Sequence, residues 1–180
     1  MFRMACFFFL GAFTWSFLEY VIHRWLGHDR RFKRGIFARE HIRHHIEGDY
    51  FAPSWKKALF GLSIAAVAAP VAALLLGPGL AYVAGLLLFY AAYEVLHRRE
   101  HTSAGIGPYA RWARRHHFHH HFVNGKSNHG VTSPLWDLVF GTYERPQLIH
   151  VPRRLCMSWL TDPQTGHIRP EHAASFTLAS

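Results

Sequence analysis

The chain has 180 residues, half of them hydrophobic and 16% aromatic, which bounds one domain with a short tail. Its two cysteines, Cys6 and Cys156, lie far apart and form no CxxC, which excludes a disulfide framework and a thiolate zinc site. A formal net charge of +9 would suggest nucleic acid in a soluble protein, but here the charge sits between long apolar runs, the pattern of a membrane protein with positive loops.

Met1–Tyr20 is almost entirely apolar, with FFFL at Phe7–Leu10. Arg3 is a weak basic start and no A-x-A-like site follows, so the run reads as a spanning helix rather than a signal peptide. Arg24–Lys57 is polar and rich in Arg and Lys, and carries HIRHH on a short helix. Ala58–Leu76 is a second apolar run long enough to span, with a bend expected at Pro70. Gly77-Pro78-Gly79 predicts a tight turn. Leu80–Leu96 is a third run that ends at His97 and forms a helical hairpin with the second. The first span ends at His23 and the hairpin returns His97 to the same side. All the histidine groups and nearly all the Arg and Lys then share one membrane face, which should be cytoplasmic. His101–Asn128, amphiphilic and basic, predicts a helical cap lying on that face. Arg145–Ser180 carries Pro146, Pro152, Pro163 and Pro170 with no clear period, and reads as loop or partly disordered; His150, His167 and His172 there read as surface residues. The expected fold is an all-α, multi-pass integral membrane protein, with about three transmembrane helices and a cytosolic, histidine-rich helical cap. Residues 1–145 form the membrane domain and residues 146–180 a polar C-terminal tail.

Histidine is the chain's main chemical signal. RHHFHHHF holds five histidines within six residues, His116–His121, interrupted only by Phe118. Two triplets in it, His117/His120/His121 and His116/His119/His120, have the i, i+3, i+4 spacing that projects from one helix face. The same spacing recurs at His41, His44 and His45, and an i, i+4 pair sits at His97 and His101. His23 and His28 lie five apart and would diverge by about 140° on an ideal helix; they converge if the helix ends near Gly27. These four groups supply ten histidines, enough for two metal ions with about five nitrogens each. Scattered surface histidine in a basic protein would not repeat such spacing four times in sequence.

Three other matches carry less. His97-Arg98-Arg99-Glu100-His101 fits the H-x-x-E-H zinc-protease pattern but leaves the other clustered histidines unexplained. Gly105–Ala110 fits G-x-G-x-x-A, yet no strand precedes it and Pro108 spoils the loop-to-helix entry. Trp112, Phe118 and Phe122 among basic residues read better as interfacial anchors beside a membrane than as a nucleic-acid surface, so no nucleic-acid partner is expected.

The histidine order resembles the fatty acid hydroxylase (sterol desaturase) superfamily of membrane oxygenases. The matching pieces are EYVIHRWLGH (Glu19–His28), HIRHH (His41–His45), YEVLHRREH (Tyr93–His101), and RHHFHHHF followed by HGVTSPLWDLVFGT (His129–Thr142). The last stretch points to the ceramide/fatty acid 2-hydroxylase side. The resemblance implies the metal ligands His23, His28, His41, His44, His45, His97, His101, His117, His120 and His121, with His119 beside the site. Glu19, Glu94, Glu100, His129 and Asp137 are the nearby groups that would orient imidazoles, the acidic ones equally suited to ion pairs with Arg. It implies two iron ions, with zinc as another occupant, and O₂ as co-substrate. A separate cytochrome b5- or ferredoxin-type electron donor is also implied, since no haem-binding segment is recognisable. Larger members carry two apolar spans before the first pair; this chain shows one.

An all-nitrogen site suits iron, zinc or copper, and only a redox metal explains two adjacent ions at a lipid interface. The expected reaction is O₂-dependent hydroxylation of a lipid acyl chain near its polar end, because metals beside the headgroup layer meet the first carbons of a chain anchored there. A carotenoid ring hydroxylase ranks second, a sterol-modifying oxidase third, and a non-catalytic metal-binding membrane protein last.

Overall fold

The computed structural model describes residues 1–75 and 77–179. The chain is mostly helical. Its elements are α1 (Phe2–Val21), a π-helical turn (Ile22–Gly27), α2 (Ile36–Glu47), α3 (Ser54–Leu75), α4 (Gly77–Thr102), α5 (Gly107–Phe122) and α6 (Leu135–Val139). Two short strands follow, β1 (Ile149–Pro152) and β2 (Phe176–Ala179). Three helical stretches, Phe2–Gly27, Ser54–Leu74 and Gly77–Thr102, are long and apolar enough to cross a membrane, as the three apolar runs require. Leu76, the last residue of the second run, and Ser180 lie outside the described residues. Gly77-Pro78-Gly79 is not a separate turn. It is the first turn of α4, where proline's missing N–H costs nothing and its fixed φ already suits the helix.

Two compact units divide the chain. The first comprises Met1–Glu19 and Ala52–Val95, and its helices approach closely because glycine lies at the crossings. A Cβ on Gly11 would stand 2.0 Å from the Tyr82 carbonyl oxygen, and one on Gly85 2.0 Å from that of Phe8, so α1 and α4 touch backbone to backbone. Trp15, Leu86 and Tyr90 are buried between them, with the Trp15 and Tyr90 ring centroids 4.8 Å apart. The Tyr90 hydroxyl donates to the Lys57 carbonyl (2.8 Å), and the Lys57 ammonium pairs with Glu94. Phe9, Leu62, Val67, Leu74 and Leu80 are exposed, an apolar exterior suited to lipid rather than water.

The second unit comprises Tyr20–Phe51 and the described residues from Leu96 on. Its axis is α5, which buries Ala113, Arg114 and His116–His120. The C-terminal segment, expected to be loop or disordered, folds against this helix. β1 and β2 pair in parallel, Ile149 opposite Phe176, and Ile149, Val151, Leu160 and Phe176 close a core around the wholly buried Phe118. Phe118 is therefore not an interfacial anchor: its ring fills that core, and Phe122 packs at its edge. Trp112, half-buried, stacks on His116. Arg114, though buried, is satisfied by donating to the carbonyls of Arg99 (2.8 Å), Ser103 (2.6 Å) and Ala110 (2.9 Å), which caps the C-terminal end of α4. Gly105, at φ +73°, makes room: a Cβ there would lie 2.3 Å from the Arg114 guanidinium.

Candidate metal centre

The second unit gathers the ten histidines of the four sequence groups into two sets of five. His23, His28, His41, His45 and His120 form one; His44, His97, His101, His117 and His121 form the other. Within each set, one ring nitrogen per residue lies within 4.8 Å of the rest. Both triplets are split. On α2, His41 and His45 turn to the first set and His44 to the second; on α5, His117 and His121 turn to the second and His120 to the first. At 100° per residue the i, i+4 pair is separated by about 40°, while the remaining member stands about 60° to the other side of the first, so one triplet reaches two centres. The sets adjoin where the His45 and His121 rings stack, centroids 3.9 Å apart.

His23 and His28 converge through a change of winding. Ile22–Gly27 is π-helical, with i→i+5 hydrogen bonds that bring residues five apart onto one face, and it ends at Gly27. Gly27 is required here, since a Cβ would lie 2.9 Å from the His41 ring.

Backbone carbonyls orient the rings. Nδ1 of His23 donates to the His129 carbonyl (2.5 Å), that of His44 to Tyr50 (2.7 Å), and that of His120 to Ser127 (2.7 Å). A proton on Nδ1 leaves the Nε2 lone pair free to bind a cation. Nε2 atoms then crowd together: His28–His41 at 2.8 Å, His28–His120 at 2.9 Å, His41–His45 at 3.1 Å and, in the other set, His101–His117 at 2.8 Å. Each such nitrogen offers one in-plane position, so the first three contacts cannot all be hydrogen bonds. Two nitrogens bound cis on one ion at about 2.1 Å stand about 3 Å apart, so the spacing fits a shared cation. Nε2 of His23 and both ring nitrogens of His121 are buried without a hydrogen-bond partner among the described residues, a need that a cation would also satisfy.

Burial first, and mutual repulsion second, hold His41, His45, His117, His120 and His121 well below the ordinary imidazole value, and His28 down to about 4. The rings are neutral at pH 7, the form that ligates metal.

The residues around the sets separate by role. Asp137 is wholly buried and accepts from the amides of His129 and Gly130 (2.8 Å each), the Thr142 hydroxyl (2.7 Å) and His116 Nε2 (3.3 Å). Burial alone would raise its carboxyl; these donors outweigh it and hold the group below the usual carboxylate value. Asp137 thereby fixes the His129 carbonyl that orients His23. The His129 ring, pushed down to about 4 by burial, lies beside His120, centroids 5.2 Å apart, but is outside both sets. The Glu100 carboxylate is buried 3.8 Å from His117 Nδ1. Glu94 is in an ion pair with Lys57 and Glu19 is buried on α1, both in the first unit. His119 turns away to Glu144 (2.9 Å), and His116 is sandwiched between Trp112 and Tyr143. The orienting carbonyls of Tyr50, Ser127 and His129 carry no side-chain signal in the sequence. The only hint was the turn-forming SNHG at Ser127–Gly130, where Asn128 takes φ 55° and clasps the Glu144 backbone with both ends of its amide.

Two adjoining five-histidine sets fit to hold metal, in a chain with three membrane-length helices, define a histidine-rich membrane protein. The chain belongs to the fatty acid hydroxylase family, whose model matches residues 8–142. It is 35% identical over 151 residues to the ceramide very long chain fatty acid hydroxylase SCS7 of Saccharomyces cerevisiae, covering 79% of this chain and 39% of that one. It is 32% identical over 154 residues to the human fatty acid 2-hydroxylase, covering 78% of this chain and 41% of the relative. The solved structure of full-length scs7p, in which only the hydroxylase domain is visible, superposes with a TM-score of 0.60 at 30% identity, covering 81% of this chain and 57% of that chain. The chain thus spans about two fifths of the length of these two curated relatives.

Proposed function

We propose that the chain is a membrane-bound, O₂-dependent lipid hydroxylase acting on a fatty-acyl chain near its polar end. The observation that carries this reading is the pair of adjoining five-histidine sets, with the rings of His23, His44 and His120 oriented by backbone carbonyls. The names of the relatives, a ceramide very long chain fatty acid hydroxylase, a dihydroceramide fatty acyl 2-hydroxylase and a fatty acid 2-hydroxylase, support the substrate class. The ten histidines would hold two iron ions, with zinc able to occupy the same nitrogens. When bound, the metals supply the electrons and Lewis acidity that activate O₂ for insertion into an unactivated C–H bond.

This chain's residues do the rest. Nδ1–carbonyl bonds from His23, His44 and His120 fix ring orientation, so the ligands do not reorganise as charge changes. Burial of the sets limits water that would intercept the oxidant. Overall, R–H, O₂, two electrons and two protons give R–OH and H₂O. The electrons come from a separate cytochrome b5- or ferredoxin-type donor. In this reading residues 1–145 are the hydroxylase domain, residues 146–180 a C-terminal extension, and the metal sets face the cytoplasm; a reporter fused after the last residue is then cytoplasmic.

The deciding experiment is lipid mass spectrometry of cells expressing the chain beside a His120→Ala control. The expected product is an acyl species heavier by one oxygen, labelled from ¹⁸O₂ and absent in the control. Unchanged acyl lipids beside hydroxylated carotenoid, in a host supplying both, would refute the substrate assignment.

A further inference from the structure

The outer face of α5 carries a second feature that metal binding does not use. Arg111, Trp112, Arg115, Tyr143, Arg145 and Ser175 line a cleft of about 430 Å³ within the second unit. Three guanidinium groups converge on it, and among the described residues lining it none is acidic. Glu144, adjacent in sequence, has its carboxylate held by His119 (2.9 Å) and Asn124 (2.6 Å). Arg111 and Arg145 are exposed and make no hydrogen bond or ion pair among the described residues. Arg115 is anchored by one bond from Nη2 to the Pro146 carbonyl (2.8 Å), while its Nε is buried with no partner among the described residues. Three like charges sharing a cleft repel one another, a cost that a bound anion would remove.

The walls are rigid. Trp112 stacks on His116 (5.0 Å between centroids), His116 stacks on Tyr143 (5.8 Å), and Asp137 accepts from His116 on its edge. The aromatic walls are thus fixed by the buried core, so a ligand need not order them. Planar guanidinium forks match phosphate oxygens bidentately, and the volume lies in the range of small-ligand sites, larger than a bare phosphate needs.

We propose that this cleft is a phosphate-binding site, taking the phosphate of either an anionic lipid headgroup or a soluble phosphate ester. It stands apart from the metal sets, and its test does not depend on hydroxylase activity. The metal-loaded full chain is reconstituted in phosphatidylcholine nanodiscs. One arm titrates inorganic phosphate and glycerol 3-phosphate by calorimetry; the other adds phosphatidic acid to the bilayer and counts lipids retained on the protein by native mass spectrometry. Saturable binding is expected in one arm, which identifies the source. The double variant Arg111→Ala/Arg145→Ala should weaken it at least tenfold while melting temperature and metal content stay those of the parent, because both side chains are exposed. Arg30→Ala/Arg34→Ala removes the same charge from another exposed loop and should leave binding unchanged. Absence of saturable binding in both arms, no weakening by the first pair, or equal weakening by the two pairs overturns the proposal.

Discussion

Replacing Asp137 by alanine should damage one metal set and spare the other. The carboxylate accepts four hydrogen bonds at zero exposure, two of them from the backbone amides of His129 and Gly130, which are themselves buried. Stranding two buried amides costs about 1–3 kcal/mol each, so the variant should lose about 2–6 kcal/mol, reaching or exceeding the upper end of the usual range for point changes. At about 2–4 °C per kcal/mol for a chain this size, melting should fall by roughly 4–24 °C. The amides hold the carbonyl that fixes His23, and loosening such a support typically lowers metal affinity by about 10–100-fold. The set containing His44 draws no orienting carbonyl from this loop; its anchor is Tyr50. Dialysis of parent and variant against graded chelator, with metal counted by mass spectrometry, should therefore show one ion leaving the variant early and the second leaving with the parent's profile. Asp137→Asn, which keeps an acceptor oxygen but sets an amide against a donor, should fall between. Simultaneous loss of both ions, or melting within about 2 °C of the parent, would refute the assignment of Asp137 as the support of His23.

Three further outcomes are expected. His44→Ala and His120→Ala should each abolish hydroxylation and reduce bound metal, whereas His167→Ala, exposed and outside both sets, should do neither. Metal-free protein should lose stability as pH falls. The unfolded chain takes up protons from about pH 6.5 while His28 and His129 resist until about 4 and burial holds rings such as His120 well below the ordinary imidazole value, so ν(unfolded) exceeds ν(folded) and melting, flat above pH 7, declines below 6.5. Gly85→Leu should separate α1 from α4 and cost more than about 2 kcal/mol in thermal unfolding. Gly141→Ala, where nothing lies within 4 Å of the added methyl and only its φ of +66° is strained, should cost about 1–2.

The histidine spacing made the four groups legible because ligand chemistry is local: i, i+3 and i+4 relations survive whatever the rest of the chain does, though on α5 two triplets fitted and the family resemblance chose His117, His120 and His121. The three apolar runs were legible for a similar reason, since span length is a one-dimensional property. What lay beyond the sequence was relational. Nothing in HIRHH says that His44 parts from His41 and His45, because the division depends on where two other helices stand. The π turn that brings His28 beside His23 has no composition of its own. The C-terminal core was hidden because Ile149, Val151, Leu160 and Phe176 meet across long separations, with prolines between them and strands too short to show a period. Phe118 shows the same problem in reverse: flanked by histidines and arginines it resembles a surface anchor, and only the returning tail makes it core.

The split triplets also bear on assembly. Because α2 and α5 each serve both centres, neither centre can be completed by a separate piece of chain, and the rotation of either helix that suits one ion is the rotation that suits the other. An ion in either centre would hold α2 and α5 in the phase that the other centre needs, and neither helix can turn to improve one centre without disturbing the other. A slip of one residue along either helix would displace histidines of both centres together, so an error of register cannot be confined to one of them.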